Sequence, residues 1–139
     1  MFAATSVLFD RAAALDWVGP DVVDPFGRAL WWYGANFDPL VAENPLFLRI
    51  MSGLSAFVFG PFYFVLAWGV AKQRAWIRTP AIVYAGVMLY SMVVHIGVEV
   101  WCDTPPPNLA VFFATYAIYV VAPAVLLRRM LGGWPLRNA

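Results

Sequence analysis

Hydrophobic positions dominate three long runs, Leu46 to Ala71, Pro80 to Trp101 and Leu109 to Leu127, each almost free of charge. Each is about the 17–25 residues that a helix needs to cross a bilayer core. Helices are the predicted elements, because backbone groups in lipid must be satisfied within their own segment. A β-barrel would show strict alternation over short segments, which these runs lack. Polar punctuation marks their ends. "WIRTPAI" reads as a helix start at the membrane surface, with Thr79 as cap, Pro80 in the first turn, and Trp76 with Arg78 anchoring the interface. "TPPP" after the second run forces a short, stiff, extended turn. Gly60-Pro61 and Pro123 fall inside runs, where each proline frees a carbonyl one turn back and invites a kink that can open a cavity. Prolines are also simply common in membrane helices.

Before the first run the pattern changes. "LWWYGANFDPLVAENP", residues 30 to 45, is rich in aromatics yet holds an asparagine, two acids and two prolines. The whole segment 20–45 therefore reads as lying at the membrane surface, either covering the outer mouth of a bundle or serving as a plain aromatic anchor. At the N-terminus "MFAATSVLF" is apolar, and then Asp10 and Arg11 interrupt it. That run is too short to span and lacks the basic n-region of a signal peptide. Residues 1–18 read instead as the outer end of a spanning helix whose first half is absent, as a start assigned too late would produce. Three spans place the N-terminus outside; a fourth upstream would place both ends in the cytoplasm.

Composition agrees with this reading. Of 139 residues, 63% are hydrophobic and only 12% are charged, against about 25% charged in ordinary globular proteins. A water-soluble fold of this size could not hide so much apolar surface. The expected class is an all-α, polytopic membrane helix bundle, with three full spans and a partial first helix in one domain.

The net charge is only +1, but it is unevenly placed. Lys72, Arg74 and Arg78 fill the first loop between spans, and Arg128, Arg129 and Arg137 follow the last. "CDTPPPN" has an acid and no base. Asp16, Asp21, Asp24, Asp38 and Glu43 face Arg28 alone in the segment before the first span. The positive-inside rule puts the 72–79 loop and the C-terminus in the cytoplasm. A lone Cys102 forms no internal disulfide, and there is no Cys/His ligand spacing, dinucleotide motif, phosphate loop or basic run for nucleic acid. No metal or cofactor is expected from these patterns.

"LYSMVVHIGVEVW", residues 89 to 101, is the exception within the spans. His95 is the only histidine, and Glu99 follows it by four residues, so a helix puts both on one face. An acid at a span centre costs roughly 2.5–3.5 kcal/mol unless it is paired or faces a cavity. Glu99 lies near the outer end of its span, with His95 deeper and Ser91, Met88 and Tyr84 continuing the face inward. Three roles stay open for the pair: polar glue between helices, the polar end of a ligand cavity, or acid–base chemistry.

"WWYGANFDPLV", "FGPFYF" and "WIRTPAIVY" together closely resemble the family of emopamil-binding protein and the sigma-2 receptor, the EXPERA-domain proteins. The resemblance runs from about Thr5 to Met130 and is nearest the receptor branch. It implies four membrane helices around a cavity for sterols, related terpenoids or cationic amphiphiles. It also implies a homodimer, and the endoplasmic reticulum in eukaryotic members; a bacterial member would sit in the inner membrane. By the same resemblance, Asp10 in "VLFD" corresponds to the aspartate that meets a ligand's cation, and Asp38 in "NFDPL" to its supporting aspartate. Two carboxylates that meet in a dry pocket cannot both ionise easily, so one would hold a proton between them. Solvated flank and helix cap are the plainer roles for the two.

Two departures separate the chain from the sterol-isomerase branch. Ser52 stands where that branch has a glutamate, and Ser55 aligns with its threonine and with an acid of the receptor branch. The isomerase His-x-x-x-Glu pair on the first helix is missing, although His95 and Glu99 repeat that spacing on the second full span. The expected function is reversible binding of a sterol-like or terpenoid lipid, with Asp10, Asp38, Ser52, Ser55, Tyr84, Ser91, Tyr116 and Tyr119 as ligand-binding residues. The alternative is a double-bond isomerase with His95 and Glu99 as catalytic acid and base, and with Tyr116 and Tyr119 shielding the carbocation. A purely structural membrane partner leaves these polar residues without a task.

Overall fold

The computed structural model describes residues 2–133; Met1, at the start of the expected first helix, and Arg137, in the basic C-terminal group, lie outside the described residues. The chain is helical, and no strand occurs among the described residues. Helix α1 covers 2–14, with a wide π-helical turn at Ser6–Asp10 between two α-helical pieces, and it stops short of the expected residue 18. Two short helices follow, α2 (Pro25–Phe37) and α3 (Pro39–Glu43). The three spans are α4 (Leu46–Ala71), α5 (Ala75–Trp101) and α6 (Leu109–Leu131). Each is long and apolar enough to cross a bilayer, so this is a multi-pass membrane protein.

Local chemistry sets these boundaries. Both surface helices begin at an Asp-Pro pair, in which the aspartate caps the first turn and the proline occupies the position whose N–H is spare. Asp24 accepts from the Gly27 amide at 2.8 Å, and Asp38 from the Val41 amide at 3.3 Å. Asn108 caps α6 through the amides of Ala110 and Val111. Helix α5 differs from expectation at its start. A 3₁₀ turn, Ala75–Ile77, leads directly into the α-helix at Arg78, so Thr79 lies inside the first turn and makes no cap. Helix α6 runs a turn past Leu127, because Arg128 and Arg129 suit the negative end of the helix dipole.

Where Gly60-Pro61 invites a kink, the helix instead widens just before the pair into a π-helical stretch, Ser55–Phe59, in which the Gly60 amide reaches back to the Ser55 carbonyl. It precedes a proline that has no N–H to give the helical ladder. The π-helical turn of α1 packs against it, and α1 runs antiparallel to α4: Arg11–Ala14 lies on Leu46–Leu54, and Phe2–Thr5 on Gly60–Ala71.

Helices α5 and α6 pack along each other. Arg78 Nε donates to the Met130 carbonyl at 2.9 Å, which puts the two basic ends on one side of the bundle. At the opposite end, Thr104 of the second loop donates to Glu43 at 3.5 Å and joins that loop to α3. Inside, Tyr63, Tyr84, Ala85, Met88 and Met92 form the buried core. The Tyr84 hydroxyl donates to that of Tyr63 at 3.2 Å, and their rings meet edge to face at 5.4 Å. Outside, Phe64, Tyr90, Val93 and Val121 are exposed on the spans, the expected partners of lipid tails rather than of water.

Candidate functional site

The surface hairpin of α2 and α3 closes tightly because Gly34 has no side chain. A Cβ there would stand 2.4 Å from the Ala42 amide nitrogen. This closure fixes Asp38 at the junction, fully buried between the two helices and the bundle. Its Oδ1 takes the Val41 amide, and its Oδ2 accepts from the Tyr116 hydroxyl at 2.5 Å.

On α5, the spacing of four puts His95 and Glu99 on one face, and that face turns inward: they are 3% and 0% exposed. They meet Asp38, not each other alone. One ligand-type atom from each of Asp38, His95 and Glu99 lies within 4.8 Å of the other two. The His95 ring packs on Tyr116 at 4.7 Å and stacks with Phe112 at 6.4 Å. Among the described residues, His95 Nε2 is buried without a hydrogen-bond partner, and the buried Glu99 carboxyl has only the Asp38 carboxyl within hydrogen-bonding reach. No ion pair joins Asp38 or Glu99 to a lysine or arginine among those residues.

A second polar group sits where the two π-helical turns face each other. Ser55 donates to Asp10 Oδ2 at 2.6 Å, and the Ser6 and Ser55 hydroxyls are 3.0 Å apart. Ser55 has one proton and gives it to Asp10, so Ser6 is the donor in the second bond.

Between these groups lies a cavity of about 410 Å³, within the usual range of ligand sites. Its walls are mostly apolar: Phe9 of α1, Leu30 of α2, Met51 and Phe59 of α4, and Met88 and Met92 of α5. Asp10, Ser55, His95 and Tyr116 supply polar contacts, with Ser52, Ser91 and Tyr119 also on the wall. Ala29, Leu30, Tyr33 and Val41, from α2 and α3, line it too.

The structure distributes the residues singled out in the sequence as follows. Asp10, Ser52, Ser55, Ser91, His95, Tyr116 and Tyr119 border the cavity. Asp38 and Glu99 sit behind its wall, against His95 and Tyr116. Tyr84 belongs to the core pair with Tyr63, away from the cavity lining. Asp10 and Asp38 share no hydrogen bond; each carboxylate has its own partners, so the proton-sharing pair inferred from resemblance is replaced by Asp10–Ser55 and Asp38–Tyr116. Sequence reasoning missed Tyr33, whose buried hydroxyl lies on the cavity wall near Thr115. Burial pushes that phenol above its ordinary range, so it remains a neutral donor. Its only signal was its place in the aromatic run before Asp38.

An apolar cavity with a few convergent polar groups, inside a bundle of lipid-exposed spans, defines a polytopic membrane protein with a ligand-sized interior site. The sequence pattern of the EXPERA family (EXPanded EBP superfamily) matches residues 25–130, and the chain belongs to that family. Nothing matched among curated proteins, nor among solved structures.

Proposed function

We propose that this protein reversibly binds a sterol-like or terpenoid lipid, or a cationic amphiphile, in the cavity between its helices. The observation that carries the reading is the cavity itself. It is walled by Leu30, Met51, Phe59, Met88 and Met92, with Asp10 and Ser55 at one polar patch and His95 and Tyr116 at another. Apolar walls favour a rigid hydrocarbon body, and separate polar patches orient its hydroxyl or ammonium. Asp10, held by Ser55, is the group for a cation; Tyr33, on the cavity wall beside Thr115, has a hydroxyl proton to offer a ligand oxygen. The sigma-2 receptor branch, a homodimer and a cytoplasmic C-terminus belong to the same reading. The membrane is then the endoplasmic reticulum of a eukaryote or the inner membrane of a bacterium.

One observation favours a second reading, isomerisation of a double bond in the same lipid. His95 borders the cavity with the acids Asp38 and Glu99 directly behind it. Moving a double bond requires protonation of one alkene carbon and loss of a proton from its neighbour. Protonated His95 would give its proton to one alkene carbon and, once neutral, take back the proton lost from the neighbouring carbon, with the acids behind it stabilising its charged form.

Mass spectrometry of lipids that co-purify from native membranes separates the readings. One enriched terpenoid or sterol, with an isomer ratio unaffected by His95→Gln, supports binding. Two double-bond isomers whose ratio follows His95 support the isomerase. Bulk phospholipid alone defeats both.

A further inference from the structure

We infer that Asp38, His95 and Glu99 form a binding site for one first-row transition-metal dication at the outer end of the bundle. The three side chains come from two distant parts of the chain, and one donor atom from each falls within 4.8 Å of the other two. That clustering alone would describe many acidic groups. The second observation is the unmet chemistry of the donors. His95 Nε2 is buried without a hydrogen-bond partner among the described residues, and the buried Glu99 carboxyl meets only the carboxyl of Asp38, so the two acids can be joined by a shared proton or by a cation. His95 and Glu99 are 3% and 0% exposed, so bulk water does not supply further partners.

Charge points the same way. Two carboxylates buried this close are tolerated only when a proton or a cation compensates them. Among the described residues, the ion pairs formed by arginine go to Asp24 and Asp16, not to Asp38 or Glu99. A dication would balance both acids and fill the unused lone pairs of Glu99 and His95. One imidazole and two carboxylates match the preferences of Zn²⁺, Fe²⁺ or Mn²⁺ and are poor for metals that demand thiolates.

The surroundings are those of supported ligands. Tyr116 donates to Asp38 Oδ2 at 2.5 Å, and the Val41 amide to Oδ1 at 3.3 Å. Each oxygen keeps a lone pair for a metal while its orientation is fixed. His95 is held by stacking on Phe112 and by the Tyr116 ring. Three protein ligands leave at least one coordination position for water or an oxygen of a bound molecule. The site does not depend on lipid binding; an occupied ion with an empty cavity would leave this inference intact.

The test uses the full chain, purified in detergent without a polyhistidine tag and stripped with a chelator. Zn²⁺ or Mn²⁺ alone is then titrated while melting temperature and bound metal per chain are measured. The wild type should take up about one equivalent and melt higher, and Glu99→Gln should do neither. Tyr116→Phe should keep the site but bind the ion roughly 10–100-fold more weakly, as expected for loss of an orienting partner. If Glu99→Gln does not fold, His95→Gln is read in its place. A stripped wild type that takes up neither ion, or variants that take up as much as the wild type, would overturn the site and leave a proton as the compensating charge.

Discussion

The Tyr116 hydroxyl donates to the Asp38 carboxylate at 2.5 Å, joining the last span to the surface hairpin across 78 residues of sequence. Asp38 is fully buried, so removing the donor leaves its oxygen poorly satisfied and without access to water. Tyr116→Phe preserves the ring packing on His95 and Phe112 and should cost about 1–3 kcal/mol. A lowered unfolding midpoint in detergent, with the helical signal unchanged at low temperature, is the expected result. A midpoint equal to that of the wild type would mean the bond contributes nothing.

How much of this was legible beforehand depends on the range of the interaction. The spans follow from uninterrupted apolar length, because lipid leaves the backbone no alternative to a helix. The facing of His95 and Glu99 follows from a spacing of four. Asp38 and Tyr116 carry no such local code. Their meeting depends on the closure at Gly34 and on how α6 packs, which no periodicity records. The resemblance pairs Asp10 with Asp38, whereas the π-helical turns bring it to Ser55. Tyr84 lies on the same helical face as His95, but farther inward, where Tyr63 takes its hydroxyl.

The two glycines Gly34 and Gly86 should respond oppositely to alanine. At Gly34 the new Cβ would lie 2.4 Å from the Ala42 nitrogen, and backbone cannot yield as a flexible side chain would. Gly34→Ala should therefore open the hairpin, lower the unfolding midpoint and expose the 38–45 segment to limited proteolysis. At Gly86 nothing lies within 4 Å of the new Cβ, so alanine should be neutral or stabilise helix α5 by up to about 1 kcal/mol. Equal effects at the two positions would contradict the tight closure described for α2 and α3.

Asp10 should discriminate ligands by charge. Asp10→Asn keeps the size and a hydrogen-bonding oxygen near Ser55 but removes the negative charge from the cavity wall. Binding of a cationic amphiphile, followed by competition, should weaken about 10-fold or more, equivalent to roughly 1.4 kcal/mol. An uncharged sterol of similar shape should be affected far less. Equal losses for both would place the cation elsewhere, and Asp10 would then be only the partner of Ser55.

Filling the cavity tests whether it is occupied in the membrane. Met51 lines it from α4, and Met51→Trp adds bulk where the structure has space and little polar demand. A bound lipid stabilises the folded protein by mass action, by about 2.7 kcal/mol at a hundredfold excess over Kd. The variant loses that contribution but gains packing in place of the ligand. Its co-purified lipid should fall sharply, while its melting temperature in lipid-free detergent should match or exceed that of the wild type. Adding the lipid back should then raise the melting temperature of the wild type alone. A variant that retains the same lipid at the same ratio would show that the ligand binds outside this space.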